Sequence, residues 1–488
     1  MPIDPRTPVL VGAGVAAQRE EDPSRALEPC ALMALALERA GDDAGDRALL
    51  REAALVAVPR GFWRYADAGR LVAERLGAAG ARTLTAEIGV LQTALFAQAA
   101  HAIREGADVV MLTGGEARHR AQRARAAGMP EGLTEQPAGT APDRVLRPAA
   151  EIVHPVEIAR GFVQPVAQYA LIENALRRDA KQAIDAHRRE VAALQAGFAR
   201  VAAGNPDAWS GKPLDANAIL DPASNPPLAF PYGRLHCSQW TVDQAAGLLF
   251  CSVERARRAR VPESRWVFPR AVAESNHMRP LVARASLARS TGFAAAWRRA
   301  LALSGLAPEA IGARELYSCF PSAVRIQLRE LGFAAEPTPS WTGGMAFAGG
   351  PLNNFVLQAA ARMLEVLRGQ GGAAVLTAVS GMLTKQGVSL WSHEPGEADF
   401  GYADVSNEAE RAEAPREVVT DVAGAGEVCG YTVLYEAGAP VRTVALVDRD
   451  DGRRSLASSA DRGLAQRGTQ EELAGMRVGV EADGTLVI

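Results

Sequence analysis

The sequence predicts an α/β protein with a layered, duplicated core and a small all-β domain in its C-terminal part. Two stretches of the chain alternate short apolar runs with segments of helical periodicity, which is typical of sheets covered by helices. An irregular stretch rich in Arg, Pro and Gly separates these two stretches. The last part of the chain contains short strand-like runs at turn-like spacing, which indicates a β barrel or sandwich.

The first half of the core is predicted to span residues 1–115. Its apolar runs are short and end at Pro, Gly or polar residues, as buried strands do. Alternation of these strands with helices predicts parallel pairing. The predicted strands are residues 8–17, 53–58, 84–89 and 107–113, and the predicted helices are residues 24–40 and 91–105.

An inserted loop domain is predicted over residues 116–235, where the character of the sequence changes. Arg-rich and Pro/Gly-rich segments flank two helical runs, residues 158–178 and 180–203. Asn205-Pro206 and the prolines at 222–227 interrupt regular structure. We expect this domain to cover the sheet without adding a further layer to it.

The second half of the core, residues 236–400, repeats a similar order of elements. This order predicts an internal duplication, with the alternative that residues 236–258 complete the first half. The predicted helices are residues 243–256, 293–303, 321–331 and 353–368, and the predicted strands are residues 267–273, 313–317 and 373–379.

The C-terminal part is predicted to be a linker followed by a β domain. Residues 401–416 are acidic and almost free of large apolar side chains, which is typical of a linker. Residues 417–488 form the β domain, with strands predicted at residues 418–422, 426–436, 441–448, 453–458, 477–482 and 486–488.

The composition excludes several classes of function. With 488 residues, 48% of them hydrophobic and 22% charged, the chain has the balance of a soluble globular protein. A formal net charge of −3 predicts no nucleic-acid partner. The five cysteines include no CxxC pair, so we expect neither a disulfide framework nor a metal site. No secretory or membrane-spanning segment is visible, which predicts a cytoplasmic protein without a membrane partner.

A glycine-rich segment at residues 340–354, SWTGGMAFAGGPLNN, is the strongest candidate for a binding loop. Gly343, Gly344, Gly349 and Gly350 permit positive φ angles and a close approach of backbone to a ligand. The alternative is a tight turn in a crowded core.

A second candidate is the segment ELYSCFPSAV, residues 315–324. A strand is predicted to deliver Tyr317, Ser318 and Cys319 to its end, and Pro321 begins a helix. The positive end of that helix would favour the thiolate form of Cys319. The alternative for Cys319 is a small apolar residue in the core.

A third candidate is the segment SGMLTKQ, residues 380–386, directly after a predicted strand. Ser380 and Gly381 leave room for a ligand, and Lys385 could meet a phosphate or carboxylate group. We expect Lys385 to be a solvated lysine on a surface loop.

In this order the segments resemble the thiolase superfamily, and more closely its bacterial thiolase-like branch related to the sterol-carrier-protein type. The resemblance extends over about residues 8–392. GGMAFAGGP at 343–351 lies where thiolases have GGAxAxGHP, YSCF at 317–320 where they have NEAF or HDCF, and AVSG at 378–381 where they have CxGG. The resemblance implies a thiolase fold and a coenzyme A thioester as ligand, with no covalently bound cofactor.

The resemblance also implies that the catalytic residues are replaced. In thiolases one cysteine takes the acyl group from acyl-CoA, a histidine activates it, and a second cysteine moves a proton. The corresponding positions here are Gly89, Gly350 and Ala378, and Tyr317 stands at the Asn or His of the third motif. Because neither glycine nor alanine can attack a thioester or accept a proton, we expect thiolase activity to be absent or weak.

If a nucleophile survives, the sequence favours Cys319, with Ser318 and Tyr317 as hydrogen-bond donors beside it. Backbone N–H groups at Gly349 and Gly350 are the candidate oxyanion donors. The leading hypothesis is therefore a CoA-thioester-binding protein related to acetyl-CoA acetyltransferases. The alternatives are a non-catalytic scaffold or partner subunit of an acyl-CoA-metabolising complex and, with least support, a decarboxylating condensing enzyme.

The resemblance has implications for partners too. Residues 424–446 resemble the oligonucleotide/oligosaccharide-binding (OB) barrels that accompany thiolase-like proteins and are associated there with acyl-CoA handling. Thiolases usually pair through a strand beside the nucleophile turn, which implies a homodimer. The unusual turn and the added barrel could block that edge, so a monomer is the alternative.

Overall fold

The structure is a computed structural model that describes residues 3–149 and 152–488. The strands in chain order are β1 (Pro8–Ala17), β2 (Leu55–Pro59), β3 (Arg82–Ala86), β4 (Val109–Ala117), β5 (Arg144–Leu146), β6 (Pro227–Ala229), β7 (Tyr232–Gly233), β8 (Asp243–Ser252), β9 (Phe268–Ser275), β10 (Ile311–Glu315), β11 (Ala373–Ser380), β12 (Lys385–Ser392), β13 (Gly401–Asp404), β14 (Gly424–Glu436), β15 (Ala439–Arg449), β16 (Arg454–Ser459), β17 (Arg477–Val480) and β18 (Leu486–Val487).

The α-helices are α1 (Pro29–Ala44), α2 (Ala68–Arg75), α3 (Thr93–Arg104), α4 (Arg118–Ala126), α5 (Pro155–Ala159), α6 (Pro165–Asp179), α7 (Ile184–Ala203), α8 (Ala216–Leu220), α9 (Val253–Arg258), α10 (Thr291–Ser304), α11 (Pro321–Leu331), α12 (Phe355–Gln370), α13 (Ser406–Ala412) and α14 (Arg462–Gly468). Most helices of the core lie within a few residues of their predicted bounds, and α11 matches them.

Two sheets form the core, with helices between and outside them. The first has the strand order β1-β8-β4-β2-β3-β5, and the second has the order β10-β11-β12-β9-β13. Helices α3 and α12 contact strands of both sheets, so they lie between the sheets. Helix α1 covers the outer side of the first sheet, and α10 covers the outer side of the second. The predicted layered α/β core is thus present.

Strand β8 corrects a prediction, because residues 243–256 had the pattern expected of a helix. All ten residues of β8 are buried, and they pair antiparallel with β1 on one side and β4 on the other. A Cβ atom on Gly247 would lie 2.6 Å from the backbone nitrogen of Leu37, which shows how closely α1 packs on this strand. A strand that is buried on both faces shows no alternation of polar and apolar residues, so its sequence resembles a buried helix.

The acidic segment 401–416 also differs from its prediction as a linker. Its first residues form β13, which pairs in parallel with β9 and so extends the second sheet. Helix α13 follows and contacts α10, with Ala409 buried between them. Val405 is buried as well. A few small apolar residues at the right positions are enough to dock this segment although its composition is acidic.

A third, antiparallel sheet contains the C-terminal strands in the order β16-β15-β14-β17-β18. The short strands β6 and β7 of the insertion join it, because Ala229 pairs with Leu434 of β14. Asn174 of α6 donates hydrogen bonds to the carbonyl groups of Phe230 and Tyr431. The insertion and the C-terminal sheet are therefore packed together. Of the predicted strand at 418–422, only a single bridge from Val418 is present.

Within the described ranges, no helix is both long enough and apolar enough to cross a bilayer.

Candidate active site

The motif segments converge at the ends of β10 and β11. The backbone N–H of Tyr317 donates a hydrogen bond of 2.8 Å to Oγ1 of Thr377, so Tyr317 lies beside Ala378. Ser238 donates from its hydroxyl group to the carbonyl oxygen of Cys319 at 3.0 Å. A Cβ atom on Gly350 would lie 3.2 Å from Cβ of Ser238. Two of the replaced thiolase positions thus lie in one region, together with the YSCF segment.

The third replaced position, Gly89, lies in the turn between β3 and α3 and has a φ angle of +102°. Its carbonyl oxygen accepts a hydrogen bond from Nζ of Lys385, the first residue of β12. Lys385 pairs across the sheet with Ser380, the last residue of β11. The nucleophile turn is therefore tied to the same strand end that carries Ala378.

The position of Lys385 is the largest departure from the sequence analysis. The residue was expected on a surface loop, but it is only 1% exposed. Strand β12 lies between β11 and β9, and all eight of its residues are buried. This burial lowers the pKa of the Lys385 amine, although nearby Glu274 opposes the effect.

Glu274 is a second buried charged group that sequence reasoning missed. It is 2% exposed on β9 and accepts hydrogen bonds from the hydroxyl groups of Thr93 and Tyr402. Burial raises its pKa to about 7, although the two hydroxyl groups act in the opposite direction. Thr93 is the first residue of α3, so Glu274 lies below the start of the helix that follows the Gly89 turn.

The glycine-rich segment is held in place by Glu315, the last residue of β10, which was also missed. Its carboxylate accepts hydrogen bonds from the hydroxyl groups of Ser340 and Thr342, both at 2.8 Å. The backbone N–H groups of Trp341 and Thr342 donate to it at 2.8 and 3.0 Å. Burial raises the pKa of Glu315 to about 7 even with these donors. Glu315 thus fixes the segment against the end of the second sheet.

Three of the four glycines in this segment are required by packing. A Cβ atom on Gly343 would lie 2.3 Å from the backbone nitrogen of Ala202, and one on Gly349 would lie 2.0 Å from Oε1 of Gln244. Gly344 faces the ring of Phe198, at 3.2 Å from such a Cβ atom. All three have positive φ angles. These contacts are those of a tight turn in a crowded core, the alternative drawn from the sequence.

Gly350 differs from its predicted role as an oxyanion donor. Its N–H group donates a hydrogen bond of 2.8 Å to the carbonyl oxygen of Gln239 and so is already engaged. A Cβ atom on Gly350 would also lie 3.1 Å from Cε of Met345. The space next to Gly350 is thus partly filled by a methionine side chain.

Burial of Cys319 works against the thiolate form that the start of the helix would favour. Desolvation raises the pKa of this thiol to about 12 and outweighs its hydrogen bonds. Cys319 is therefore a neutral thiol near pH 7, even though Pro321 begins a helix two residues later. The hydroxyl group of the neighbouring Ser318 accepts a hydrogen bond from the backbone of Met345. Burial likewise raises the pKa of Tyr317.

Tyr169 of the insertion connects two of the motifs. Its ring stacks on Phe320, with 4.5 Å between the ring centroids. Its hydroxyl group donates to the carbonyl oxygen of Gly381 at 3.0 Å and accepts from the N–H of Leu383 at 3.1 Å. Ser380 and Gly381 are each half-buried. The insertion therefore forms one wall of the site, as a covering domain would.

Side chains from the insertion also cover the Gly89 turn. Cγ of Pro148 lies 3.2 Å from a Cβ atom placed on Gly89, and Cβ of Ile152 lies 3.1 Å from one placed on Gly381. Three cavities of 260, 380 and 580 Å³ lie elsewhere in the molecule, and the candidate residues do not line them. A ligand at the replaced positions therefore has to displace some of this cover.

In the parts of the chain that the structure describes, no three His, Cys, Asp or Glu residues are grouped so as to hold a metal ion.

Comparison with known proteins supports the likeness in fold. No protein-family model matches the chain, and no curated protein sequence matches it significantly. A monomeric SCP2-thiolase-like protein of type 1 from Mycobacterium smegmatis is 28% identical and has a TM-score of 0.84, with 100% of both chains covered. An Ltp2–ChsH2(DUF35) aldolase is 20% identical with a TM-score of 0.59, over 80% of this chain and 99% of the other.

The fold of a thiolase is similar as well. The dimeric peroxisomal thiolase of Saccharomyces cerevisiae is 15% identical with a TM-score of 0.57, over 81% of this chain and 99% of its own. The likeness to the Mycobacterium smegmatis protein covers the full length, including the C-terminal sheet. The chain has the thiolase fold, and over its full length it is similar to a thiolase-like protein.

Proposed function

We propose that this protein binds a coenzyme A thioester, or a related acyl ligand, in the thiolase cleft without catalysing the thiolase reaction at an appreciable rate. One observation carries the proposal. Gly89, Gly350 and Ala378 lie along one connected set of contacts, where the resemblance aligns the two cysteines and the histidine of thiolases. None of the three side chains can form a thioester or move a proton.

The groups that line this cleft suit the acyl part of such a ligand. Ala378 and Tyr317 stand side by side, and Cys319, as a neutral thiol, adds a weakly polar surface. Ser380 and Gly381 are half-buried, so they form the side of the cleft that is partly exposed to solvent. We assign Tyr317, Ser318 and Cys319 to ligand contact. The backbone of the glycine-rich segment shapes the cleft at Gly343, Gly344, Gly349 and Gly350.

The C-terminal sheet has a part in this proposal. We infer that it is a barrel of the OB type that contributes to acyl-CoA handling. Its support is the antiparallel strand order and the direct contact of β14 with helix α6 of the insertion, which also carries Tyr169. A shared helix gives a physical connection between the sheet and the cleft.

A second candidate function is a non-catalytic scaffold for another acyl-CoA enzyme. The specific observation in its favour is the filling of the cleft by Pro148 and Met345. A site that is permanently closed would explain why the catalytic residues are missing.

Thermal unfolding with CoA, acetyl-CoA and longer acyl-CoAs distinguishes the two. Ligand at a hundred times its dissociation constant stabilises the fold by roughly 2.7 kcal/mol, which is a clear shift in Tm. The Ser380→Trp variant should lose the shift, because it fills the open side of the cleft. Ser264→Trp is the control, since Ser264 is an exposed serine before the start of β9, at the opposite end of that strand from Glu274. Absence of a shift at every chain length would contradict the proposal and favour the scaffold.

A further inference from the structure

Lys385 has a position that neither the thiolase likeness nor the proposed function uses. Residues 385 and 387 of β12 point to the same face of the second sheet, because side chains alternate along a strand. Gly387 pairs directly with Ala378 on one side and with Glu274 on the other. Lys385, Ala378 and Glu274 therefore share one face. That face is covered by the start of α3, where Thr93 packs on Gly387.

The amine of Lys385 lies between the two positions at which thiolases carry cysteines. Its Nζ atom donates to the carbonyl oxygen of Gly89 and would lie 4.0 Å from a Cβ atom on that residue. The side chain starts from the strand neighbouring Ala378, two residue pairs along the ladder. A diagonal pair of this kind has Cβ atoms about 7–8 Å apart, within reach of a long side chain.

The surroundings disfavour the charged form of this amine. Lys385 is almost fully buried, and an ammonium group held in such a place without a close counter-ion costs several kcal/mol. Among the described residues, no carboxylate lies within 4.0 Å of its Nζ atom, and Glu274 is the acidic group on its face. A neutral lysine amine is a nucleophile towards carbonyl carbon.

We propose that Lys385 is the reactive group of this site and forms a Schiff base with the ketone of a 3-ketoacyl thioester. This inference rests on the proposed function, because the thioester brings the ketone into the cleft. The amine nitrogen bonds to the ketone carbon, the electron pair of the C=O bond moves to oxygen, and that oxygen takes up the proton that the nitrogen loses. The resulting carbinolamine receives a second proton from the Glu274 carboxyl group and loses water. The nitrogen lone pair then completes the C=N bond.

The product is an iminium ion, which attracts electrons from the neighbouring carbon atom. It thereby activates the carbon between the imine and the thioester for making or breaking a C–C bond. Such a step requires no thiol at residues 89 or 378. To reach the amine, the ligand has to displace Pro148 from above Gly89.

Reductive trapping tests this inference. The protein is incubated with acetoacetyl-CoA and sodium cyanoborohydride, and the adduct is located by peptide mass spectrometry. The chain has only three lysines, Lys181, Lys212 and Lys385, so the assignment is direct. We expect one adduct per chain at Lys385 and none with acetyl-CoA, which has no ketone. Lys385→Arg, which keeps an N–H donor to Gly89, should lose the adduct, whereas Lys212→Arg on the surface should keep it.

The thermal shift with CoA thioesters separates failure of this inference from failure of the proposed function. A shift without an adduct, or an adduct at Lys181 or Lys212, would overturn the role of Lys385 and leave thioester binding intact. An adduct at Lys385 without any shift would support the reactive amine and contradict thioester binding. Equal trapping by the Lys385→Arg variant would also overturn the inference.

Discussion

At the scale of single residues, the candidate site is defined by a glycine turn, a buried methionine and a buried lysine. Gly89 keeps the sharp turn before α3, with its φ angle of +102°, but supplies no thiol. Met345 fills part of the space next to Gly350, and Lys385 supplies an amine close to the turn. The segments that resemble thiolase motifs therefore meet in one region, and a lysine amine lies beside them.

Restoring one cysteine should not restore thiolase activity. In Gly89→Cys the new side chain meets Pro148 at 3.2–3.3 Å and has an unfavourable φ angle, so we expect a loss of roughly 1–3 kcal/mol in unfolding free energy. The thiol would also lack the histidine that activates it in thiolases, because residue 350 is glycine. Gly80→Cys is the control: it is exposed, has open space around it, and should leave stability almost unchanged. Thiolysis of acetoacetyl-CoA by Gly89→Cys alone would contradict this prediction.

Glu274 should make stability depend on pH in a defined direction. Its pKa is about 7 in the folded protein and near 4.5 when unfolded. Between these values the unfolded chain has released the proton and the folded chain has kept it, so stability falls as pH rises from about 4.5 to about 7. Denaturant titrations should show that the free energy of unfolding falls less in Glu274→Gln than in the parent protein, by at most roughly 3 kcal/mol. If the free energy of unfolding of Glu274→Gln fell as much as that of the parent protein, this role of Glu274 would be refuted.

The control for this measurement is Glu105→Gln, an exposed glutamate, which should keep the pH profile of the parent. Lys385, Tyr402 and Asp404 are the other titratable groups near Glu274, and they are unchanged in both variants.

At the scale of elements, a buried ionic cluster fixes the helix that follows the YSCF segment. Arg325 of α11 and His187 of α7 both contact the carboxylate of Glu173 on α6. The hydroxyl group of Tyr232 donates to it at 2.5 Å. Burial alone would raise the pKa of Glu173, but Arg325 and His187 outweigh it and hold that pKa at about 2. This cluster connects the insertion to the second half of the core.

Breaking the cluster should destabilise the protein strongly. Arg325→Met leaves a buried carboxylate without its counter-ion, and we expect a loss of about 3–5 kcal/mol in unfolding free energy. Arg329→Met, on the same helix, removes a more exposed ion pair with Asp179 and should cost less than about 1 kcal/mol. Because the pKa of Glu173 is lowered from 4.5, its contribution should disappear as pH falls from about 4.5 to about 2. Equal losses in the two variants would contradict the assignment.

The elements also show what the sequence could predict and what it could not. Strands β1 and β11 are marked by apolar runs and helix α11 by an amphipathic pattern. These signals are local in the sequence, and the three elements lie close to their predicted bounds. Strand β8 was mistaken for a helix because it is buried on both faces. Strand β12 was missed because residues 385–392, KQGVSLWS, show no apolar alternation and become buried only through their neighbours.

The same reasoning applies to the site. The convergence of the motif segments could be inferred from their order, because a family resemblance aligns them. The roles of Glu274, Glu315 and Lys385 could not, since each depends on a contact with a residue far away in sequence. Burial of charged groups is a tertiary property that composition does not reveal.

At the scale of the whole molecule, the insertion covers the edge through which thiolases pair. Strand β3, next to the Gly89 turn, is bordered by β5, which pairs with it in parallel through residues 144–146. We infer that this added strand blocks dimerisation at β3. The C-terminal sheet was one of the expected obstacles, but the strand that borders β3 belongs to the insertion.

The protein should therefore be a monomer in solution. Size-exclusion chromatography with light scattering should give a mass of 51.5 kDa over a wide range of concentrations. A stable species of twice that mass would contradict the inference that β5 blocks the edge.

The most direct test of the central claim is to measure acetoacetyl-CoA binding and its thiolysis by CoA on the same preparation. Isothermal titration calorimetry gives the binding, and the loss of the 3-ketoacyl chromophore gives the thiolysis. We predict saturable binding with no thiolysis above the rate in buffer, because residues 89, 350 and 378 carry no thiol or imidazole. Thiolysis with an acyl group bound covalently to a cysteine would contradict the account, and so would the absence of binding.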